Sequence, residues 1–141
     1  MKDYKAVLVV WIVLATSCAS PVNKENAIRT MQELLDNESL VVRFARLEID
    51  SARLDEYLVF LKEGIETSIA TEPGVLTMYG VQEQADPTKV TMLEIYLNDS
   101  AYQSHLNTAH FQRYKTGTLE MVRSLELVDL DPIVFGVRTN D

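Results

Sequence analysis

The side chains best suited to proton transfer lie in one stretch of the chain, between Glu94 and His110. Residues 89–97 read KVTMLEIYL, a run rich in strand-forming residues. Because side chains alternate between the two faces of a strand, Met92, Glu94 and Tyr96 share one face. A carboxylate among apolar side chains tends to have a raised pKa, which suits it to act as a general base.

A structural role for Glu94 is the alternative. A carboxylate on an apolar face is costly unless it is hydrogen-bonded or paired with a cation. Arg43 and Arg46 lie on a predicted neighbouring strand and could supply that cation. The residues alone leave both roles open.

The only two histidines of the chain, His105 and His110, follow Tyr96. Imidazole titrates near neutral pH, so either histidine could carry a proton to or from a substrate. One exposed histidine and one that caps a helix break is the alternative interpretation. Their spacing differs from the i,i+4 pattern that aligns two ligands on a helix, so we predict no metal site.

The pattern of hydrophobic residues predicts the elements that hold these side chains. Apolar positions alternate or repeat every three to four residues, with Pro73-Gly74 and the turn at Asp86-Pro87 as breaks. Asn98 caps the second helical region, which Asn107-Thr108 interrupts. The predicted order is strand 40–49, helix 51–72, strands 75–82 and 89–97 as a hairpin, two helical pieces from 98 to 122, and an extended segment 124–137 that is broken or bent at Pro132. This β-α-β-β-α-β order is the ferredoxin-like α+β arrangement, an antiparallel sheet with both helices on one face.

The two hairpin strands are apolar on both faces. Leu93 and Ile95 have one parity, and Met92 and Tyr96 have the other. A sheet with water on one side should alternate between apolar and polar residues, so something must cover the second face. A second copy is the simplest cover. We therefore predict a homodimer in which two sheets face each other across an enclosed chamber.

Composition excludes several classes of protein. The 141 residues have a formal net charge of −8, so we predict no nucleic-acid binding, which needs a basic face. One cysteine allows no intrachain disulfide, and one cysteine with two histidines makes a structural zinc site unfavourable. The length fits one domain with short extensions.

The first eighteen residues are typical of an export signal. Lys2 and Lys5 precede the ten-residue apolar run AVLVVWIVLA, which is too short to span a bilayer, and small residues lead to Cys18. The pattern resembles a bacterial lipoprotein signal, which would make Cys18 the lipidated N-terminus; a plain secretory signal is the alternative. We predict a signal over 1–18, a linker and short helix over 19–38, and the functional domain over 39–138. The protein would be periplasmic or a membrane-anchored lipoprotein.

Residues 73–114 carry a family resemblance. Pro73-Gly74 precedes a strand, Glu94-x-Tyr96 ends the next strand, Asp99-Ser100-Ala101 starts a helix, and His105 precedes His110-Phe111. This ordered set resembles the antibiotic biosynthesis monooxygenase domain family, which includes proteins assigned as quinol monooxygenases. The resemblance implies a dimeric α/β barrel that oxygenates phenolic or quinol-type substrates with O₂ and without a metal or flavin.

The expected function is therefore a cofactor-independent monooxygenase. We expect His105 or His110 as the base, Glu94 as its orienting partner, Tyr96 as pocket wall and hydrogen-bond donor, and Met92 and Tyr114 as substrate contacts. A non-catalytic dimer that binds a small molecule in the cell envelope is the alternative. Haem degradation is disfavoured, because Ala45, Tyr96 and Tyr114 stand where that branch has Asn, Trp and an axial His. A sugar-phosphate site would want more basic residues than Lys89 alone.

Overall fold

Four antiparallel strands form the sheet in the computed structural model, which describes residues 39–134. The strands are β1 (Val41–Ile49), β2 (Val75–Gln82), β3 (Lys89–Tyr96) and β4 (Val122–Leu130). Their order in the sheet is β2-β3-β1-β4, so β1 and β3 are central. This is the ferredoxin-like topology, and the predicted fold class is confirmed.

Three α-helices connect the strands: α1 (Leu54–Thr71), α2 (Asp99–Leu106) and α3 (Ala109–Thr118). A 3₁₀ turn at Ser51–Arg53 leads into α1, and the Asp50 carboxylate accepts a hydrogen bond from the Ala52 amide at 3.0 Å. Helix α1 packs against α3 and β2, which places the helical layer on one face of the sheet. In residues 39–134, no helix combines the length and the apolar character needed to cross a membrane.

The turn between β2 and β3 has the chemistry that the sequence predicted. The Asp86 carboxylate accepts hydrogen bonds from the Thr88 hydroxyl at 2.6 Å and from the Thr88 amide at 3.2 Å. Such a side chain-to-backbone bond fixes a tight turn. The β2–β3 register therefore places Met78 beside Glu94 and Gly80 beside Met92.

The last strand begins at Val122 rather than at 124 and ends at Leu130, two residues before the break predicted at Pro132. Met121, which the sequence pattern assigned to a helix, lies in the turn before β4 and is fully buried. Its burial explains the apolar signal, because a buried turn residue and a buried helical residue look alike in sequence.

The core lies between the sheet and the helices. Its buried members come from all layers: Ala45, Leu47, Ile49, Tyr57, Val90, Met92 and Met121. The opposite face of the sheet carries Phe44 on β1 and Leu93 on β3, with the exposed Arg46 and Glu48 of β1 on the same face. On β2, Tyr79 of that face is 64% exposed. The homodimer stays a prediction.

The predictions for the N-terminal segments concern residues outside the described part of the chain. They include the signal over 1–18, lipidation of Cys18, and the linker and helix over 19–38. The last residues of the predicted domain, 135–138, also lie outside it.

Candidate functional site

A cavity of about 360 Å³ lies between the sheet and the helices of this chain. Its lining is mostly apolar and includes all six site residues predicted within the domain: Met92, Glu94, Tyr96, His105, His110 and Tyr114. The location differs from the predicted chamber between two facing sheets. Met92, Glu94 and Tyr96 share a face as predicted, but that face is turned toward the helices.

Glu94 and Tyr96 form a hydrogen-bonded pair inside the cavity. The Tyr96 hydroxyl donates to Oε2 of Glu94 at 3.0 Å, and Tyr96 is 1% exposed. Burial raises the pKa of Glu94 above its usual range, although the hydrogen bond from Tyr96 and the proximity of His105 and Arg43 oppose this shift. Burial and the neighbouring Glu94 carboxylate raise the pKa of Tyr96. The pair can therefore hydrogen-bond a polar group of a ligand.

The arginines proposed as partners of Glu94 are engaged with other residues. Arg43 forms an ion pair with Asp129 at 2.6 Å and lies over the ring of Tyr102, 4.4 Å from the ring centroid. Arg46 pairs with Glu126 at 3.2 Å. Arg43 lines the cavity opposite Glu94 in the β1–β3 register and acts on the carboxylate through its charge.

Aromatic rings build the walls of the cavity. The Tyr114 hydroxyl lies 2.9 Å from the hydroxyl of Tyr57, which is fully buried behind it. Phe111 packs 4.7 Å from His105, and Tyr102 meets Tyr96 edge to face at 5.2 Å, both measured between ring centroids. These contacts fix the rings in place, so a flat aromatic ligand would find preformed walls.

The chain changes direction between α2 and α3, so that both histidine side chains point to the same position. The Asn98 side chain caps α2 by accepting from the Ala101 amide at 2.9 Å, and the Thr108 side chain caps α3 by accepting from the Phe111 amide at 3.3 Å. His105 lies in the last turn of α2, and His110 is the second residue of α3. The change of axis between the helices brings the two rings together despite their spacing in the sequence.

The point at which they meet is Glu72, which sequence reasoning missed. Its Oε1 lies 2.9 Å from Nδ1 of His105 and 2.6 Å from Nε2 of His110. Burial alone would raise the pKa of Glu72, but its hydrogen bonds with the two histidines outweigh burial and lower the pKa. Glu72 is therefore an ionised carboxylate that holds both imidazoles.

Glu72, rather than Glu94, is thus the carboxylate that contacts both histidines. Within residues 39–134, Glu94 has its hydrogen bond with Tyr96 and none with a histidine. Glu72 stands directly before Pro73-Gly74, the pair of residues that breaks the helix and precedes β2. The signal that could have found it is an acidic residue placed directly before a helix breaker, next to a strand that leads into the site.

Glu72, His105 and His110 are also the described residues that could hold a metal ion. Their nearest ligand atoms lie within 4.8 Å of one another, and two histidines with one carboxylate suit several transition metals. The 2.6 and 2.9 Å separations equally suit direct hydrogen bonds between the rings and the carboxylate. The spacing of the two histidines in the sequence therefore does not prevent them from sharing one partner in the folded chain.

The pKa of Glu72 is lowered and that of Glu94 is raised, so replacing each of them by glutamine should change the pH dependence of stability in opposite directions. Glu72 stabilises the fold above its usual value of 4.5, and this contribution is lost as the pH falls through its lowered pKa. Glu94 stabilises the fold below 4.5, and this contribution is lost as the pH rises through its raised pKa. Relative to wild type, Glu72→Gln should become less stable from about pH 3 to pH 7, and Glu94→Gln should become more stable.

Urea unfolding of the wild type and both variants at three pH values between these limits measures the free energy of unfolding. The slope of interest is the change with pH in the difference between each variant and the wild type. Glu66→Gln, at an exposed position on α1, controls for the substitution itself. Equal slopes for Glu72→Gln and Glu94→Gln would contradict the assigned environments.

A family model described as antibiotic biosynthesis monooxygenase matches residues 40–117. A crystal structure from Bacteriodes thetaiotaomicron VPI-5482, of a protein provisionally assigned as an antibiotic biosynthesis monooxygenase, is 50% identical. That match has a TM-score of 0.69 and covers 73% of this chain and 98% of the other.

More distant structures share the same fold. A provisionally assigned monooxygenase from Lactobacillus acidophilus NCFM is 30% identical with a TM-score of 0.63, over 64% of this chain and 43% of the other. A protein from Caulobacter crescentus CB15 is 18% identical with a TM-score of 0.64, over 68% of this chain and 92% of the other, and shows the fold alone. A search of curated proteins gave no match.

Proposed function

Because the chain belongs to the antibiotic biosynthesis monooxygenase family, we propose that it oxidises a small phenolic or quinol-type substrate with O₂ and without a metal or flavin. The observation that carries the proposal is the cavity of about 360 Å³, which combines apolar and aromatic walls with a few converging polar side chains. Its size lies within the range of small-molecule sites.

The chemistry begins with proton removal. O₂ reacts slowly with closed-shell molecules, so a cofactor-free enzyme must first convert the substrate into an electron-rich anion. A histidine at the cavity wall takes the proton of the phenolic hydroxyl, and the anion then passes one electron to O₂. The two radicals combine to form a carbon–oxygen bond and a peroxide.

The peroxide then breaks down with a balanced set of atoms. The protonated histidine returns its proton to the peroxide, and the O–O bond breaks. One oxygen atom stays on the ring carbon as a carbonyl, and the other leaves as water with the ring hydrogen. A phenol thus gives a quinone and water, and a quinol gives a hydroxyquinone and water.

The polar groups of the cavity fit this sequence. A substrate oxygen can replace Oε2 of Glu94 as the acceptor of the Tyr96 hydroxyl hydrogen, and the apolar walls exclude water from the radical pair. Arg43, at the same wall, supplies positive charge near the developing anion.

Oxygen uptake by the purified mature protein tests the proposal. We expect uptake above the autoxidation rate with a menadiol-type quinol, and one atom of labelled ¹⁸O₂ in the product. The triple variant Glu94→Gln, His105→Gln, His110→Gln should reduce uptake to the autoxidation rate. Treatment with a chelator should leave the wild-type rate unchanged.

Two results would reject the enzymatic function. Equal turnover in the wild type and the triple variant would show that these three residues take no part in the reaction. Tight binding of the quinol without oxygen uptake would favour the alternative, a non-catalytic binding protein.

A homodimer is the second part of the proposal. The sheet face away from the helices carries Phe44, Leu93 and the exposed Tyr79 and Val81, an apolar surface that a second copy would cover. We expect twice the monomer mass by light scattering. Tyr79→Lys with Val81→Lys should give a monomer, whereas Val59→Lys, at a position 66% exposed on α1, should remain a dimer. A wild-type monomer at micromolar concentration would contradict this association.

A further inference from the structure

The two histidines at Glu72 differ in the nitrogen that each presents to the carboxylate. His105 uses Nδ1, at 2.9 Å, and His110 uses Nε2, at 2.6 Å. An ionised carboxylate can only accept hydrogen bonds, and the lowered pKa of Glu72 supports the ionised form. Each of these two nitrogens therefore carries a hydrogen.

The surroundings of His110 support the same assignment independently. The Thr108 hydroxyl donates its hydrogen to the carbonyl oxygen of His105 at 2.8 Å. It can then only accept from Nε2 of His110, which lies 3.2 Å away. Ser68 lies 3.1 Å from the same nitrogen. Nε2 of His110 is thus a donor with Glu72 and Thr108 as acceptors, and the lone pair of a neutral His110 ring lies on Nδ1.

The second ring nitrogen of His105, Nε2, has different surroundings. Every fully buried side-chain nitrogen and oxygen in residues 39–134 has a hydrogen-bond partner. Within that part of the chain, Nε2 of His105 has none, so it must border open space. His105 lines the apolar cavity. In a neutral ring with hydrogen on Nδ1, Nε2 carries the lone pair.

We propose that Glu72 is a positioning residue that holds His105 in the Nδ1–H tautomer, so that Nε2 of His105 is the base of the cavity; the ring of His105 packs against that of Tyr96, 5.4 Å between ring centroids. This inference rests on the proposed function for its catalytic half. Nε2 takes the phenolic hydrogen, and the resulting imidazolium lies between the Glu72 carboxylate and the substrate anion. The same nitrogen later returns the proton to the peroxide, so no net proton leaves the site.

The tautomer can be read without any substrate. In ¹⁵N-histidine-labelled wild type, we expect His105 to show a protonated Nδ1 and an unprotonated Nε2, and His110 to show a protonated Nε2. In Glu72→Ala the anchor of Nδ1 is gone, and His105 should shift toward the Nε2–H form. Protonated Nε2 in wild-type His105 would overturn the proposal.

Kinetics test the catalytic half. We expect His105→Gln to lower kcat about 1,000-fold and Glu72→Gln about 100-fold with KM changed less than about threefold, since proton transfer and its electrostatic support act in the transition state. His110→Gln should cost less than about tenfold. Glu66→Gln, the same substitution at an exposed position of α1, controls for the loss of one charge. A thermal unfolding curve for each variant identifies any that fails to fold.

The outcomes separate the two proposals. If the wild-type protein shows no oxygen uptake but His105 carries hydrogen on Nδ1, the proposed function and the assignment of His105 as the base are both overturned. The assignment of the tautomer then stands. Wild-type uptake with His110→Gln as damaging as His105→Gln would overturn this inference and keep the proposed function. Full activity of a folded Glu72→Gln would do the same.

Discussion

Replacing Ala45 by phenylalanine should lower kcat/KM for an aromatic substrate by about 100-fold or more, since a single methylene in an apolar pocket already changes rates by about 10- to 200-fold. Ala45 is 5% exposed and lies on β1, with Met92 and Leu127 as its neighbours on the adjacent strands. Its side chain points into the cavity, so a benzyl group there would occupy the space that the proposed substrate needs.

Because Ala45 also belongs to the buried core, the added ring should lower the stability by about 1–3 kcal/mol, the usual range for overpacking. Steady-state oxygen uptake and thermal unfolding, measured together, check both halves of the prediction. Val59→Phe adds a similar ring at an exposed position outside the cavity and should keep wild-type kinetics. Unchanged kinetics in a folded Ala45→Phe would place turnover elsewhere, for example between two facing sheets.

Replacing Gly74 by alanine should destabilise the fold by about 2–3 kcal/mol, the usual range for overpacking. The new Cβ would lie 2.5 Å from Cβ of Ala101, and both atoms are attached directly to backbone, so no side-chain rotation relieves the clash. Helix α2 would have to move away from β2. Because α2 carries His105, we also expect oxygen uptake to fall.

A double-mutant cycle isolates this contact. Ala101→Gly removes the second Cβ, so adding it to Gly74→Ala should restore most of the stability lost, apart from the cost of a glycine in a helix, about 1 kcal/mol. Gly64→Ala is a matched control. Its Cβ would lie 3.8 Å from Tyr114, an ordinary contact, and the change should be neutral or stabilising. Equal effects of Gly74→Ala and Gly64→Ala in urea unfolding would contradict the close approach.

Most of the fold could be predicted from local patterns. The strands at residues 75–82 and 89–97, the Asp86 turn and the Asn98 cap are set by side-chain periodicity and by hydrogen bonds between near neighbours. The start of β4 was wrong, because Met121 is buried by a turn that brings its carbonyl oxygen to the Asp50 amide, 2.8 Å away. Local periodicity cannot report such a distant partner.

The candidate site was predicted only in part. Side chains alternate along a strand, which predicts that one face carries Met92, Glu94 and Tyr96. The structure places all three in one cavity. Their assigned roles stay predictions. Glu72 was missed, because its partners lie far along the chain and meet it only after α2 and α3 pack beside the end of α1.

The sequence by itself determined which side chains belong to each strand and helix and which of them share a face, since these depend on neighbours a few residues away. Only the tertiary structure decided which face of the sheet encloses the cavity and which carboxylate holds the histidines. Those depend on how the helices pack across the sheet and on the angle between α2 and α3. Contacts between distant segments set both, and no local pattern encodes them.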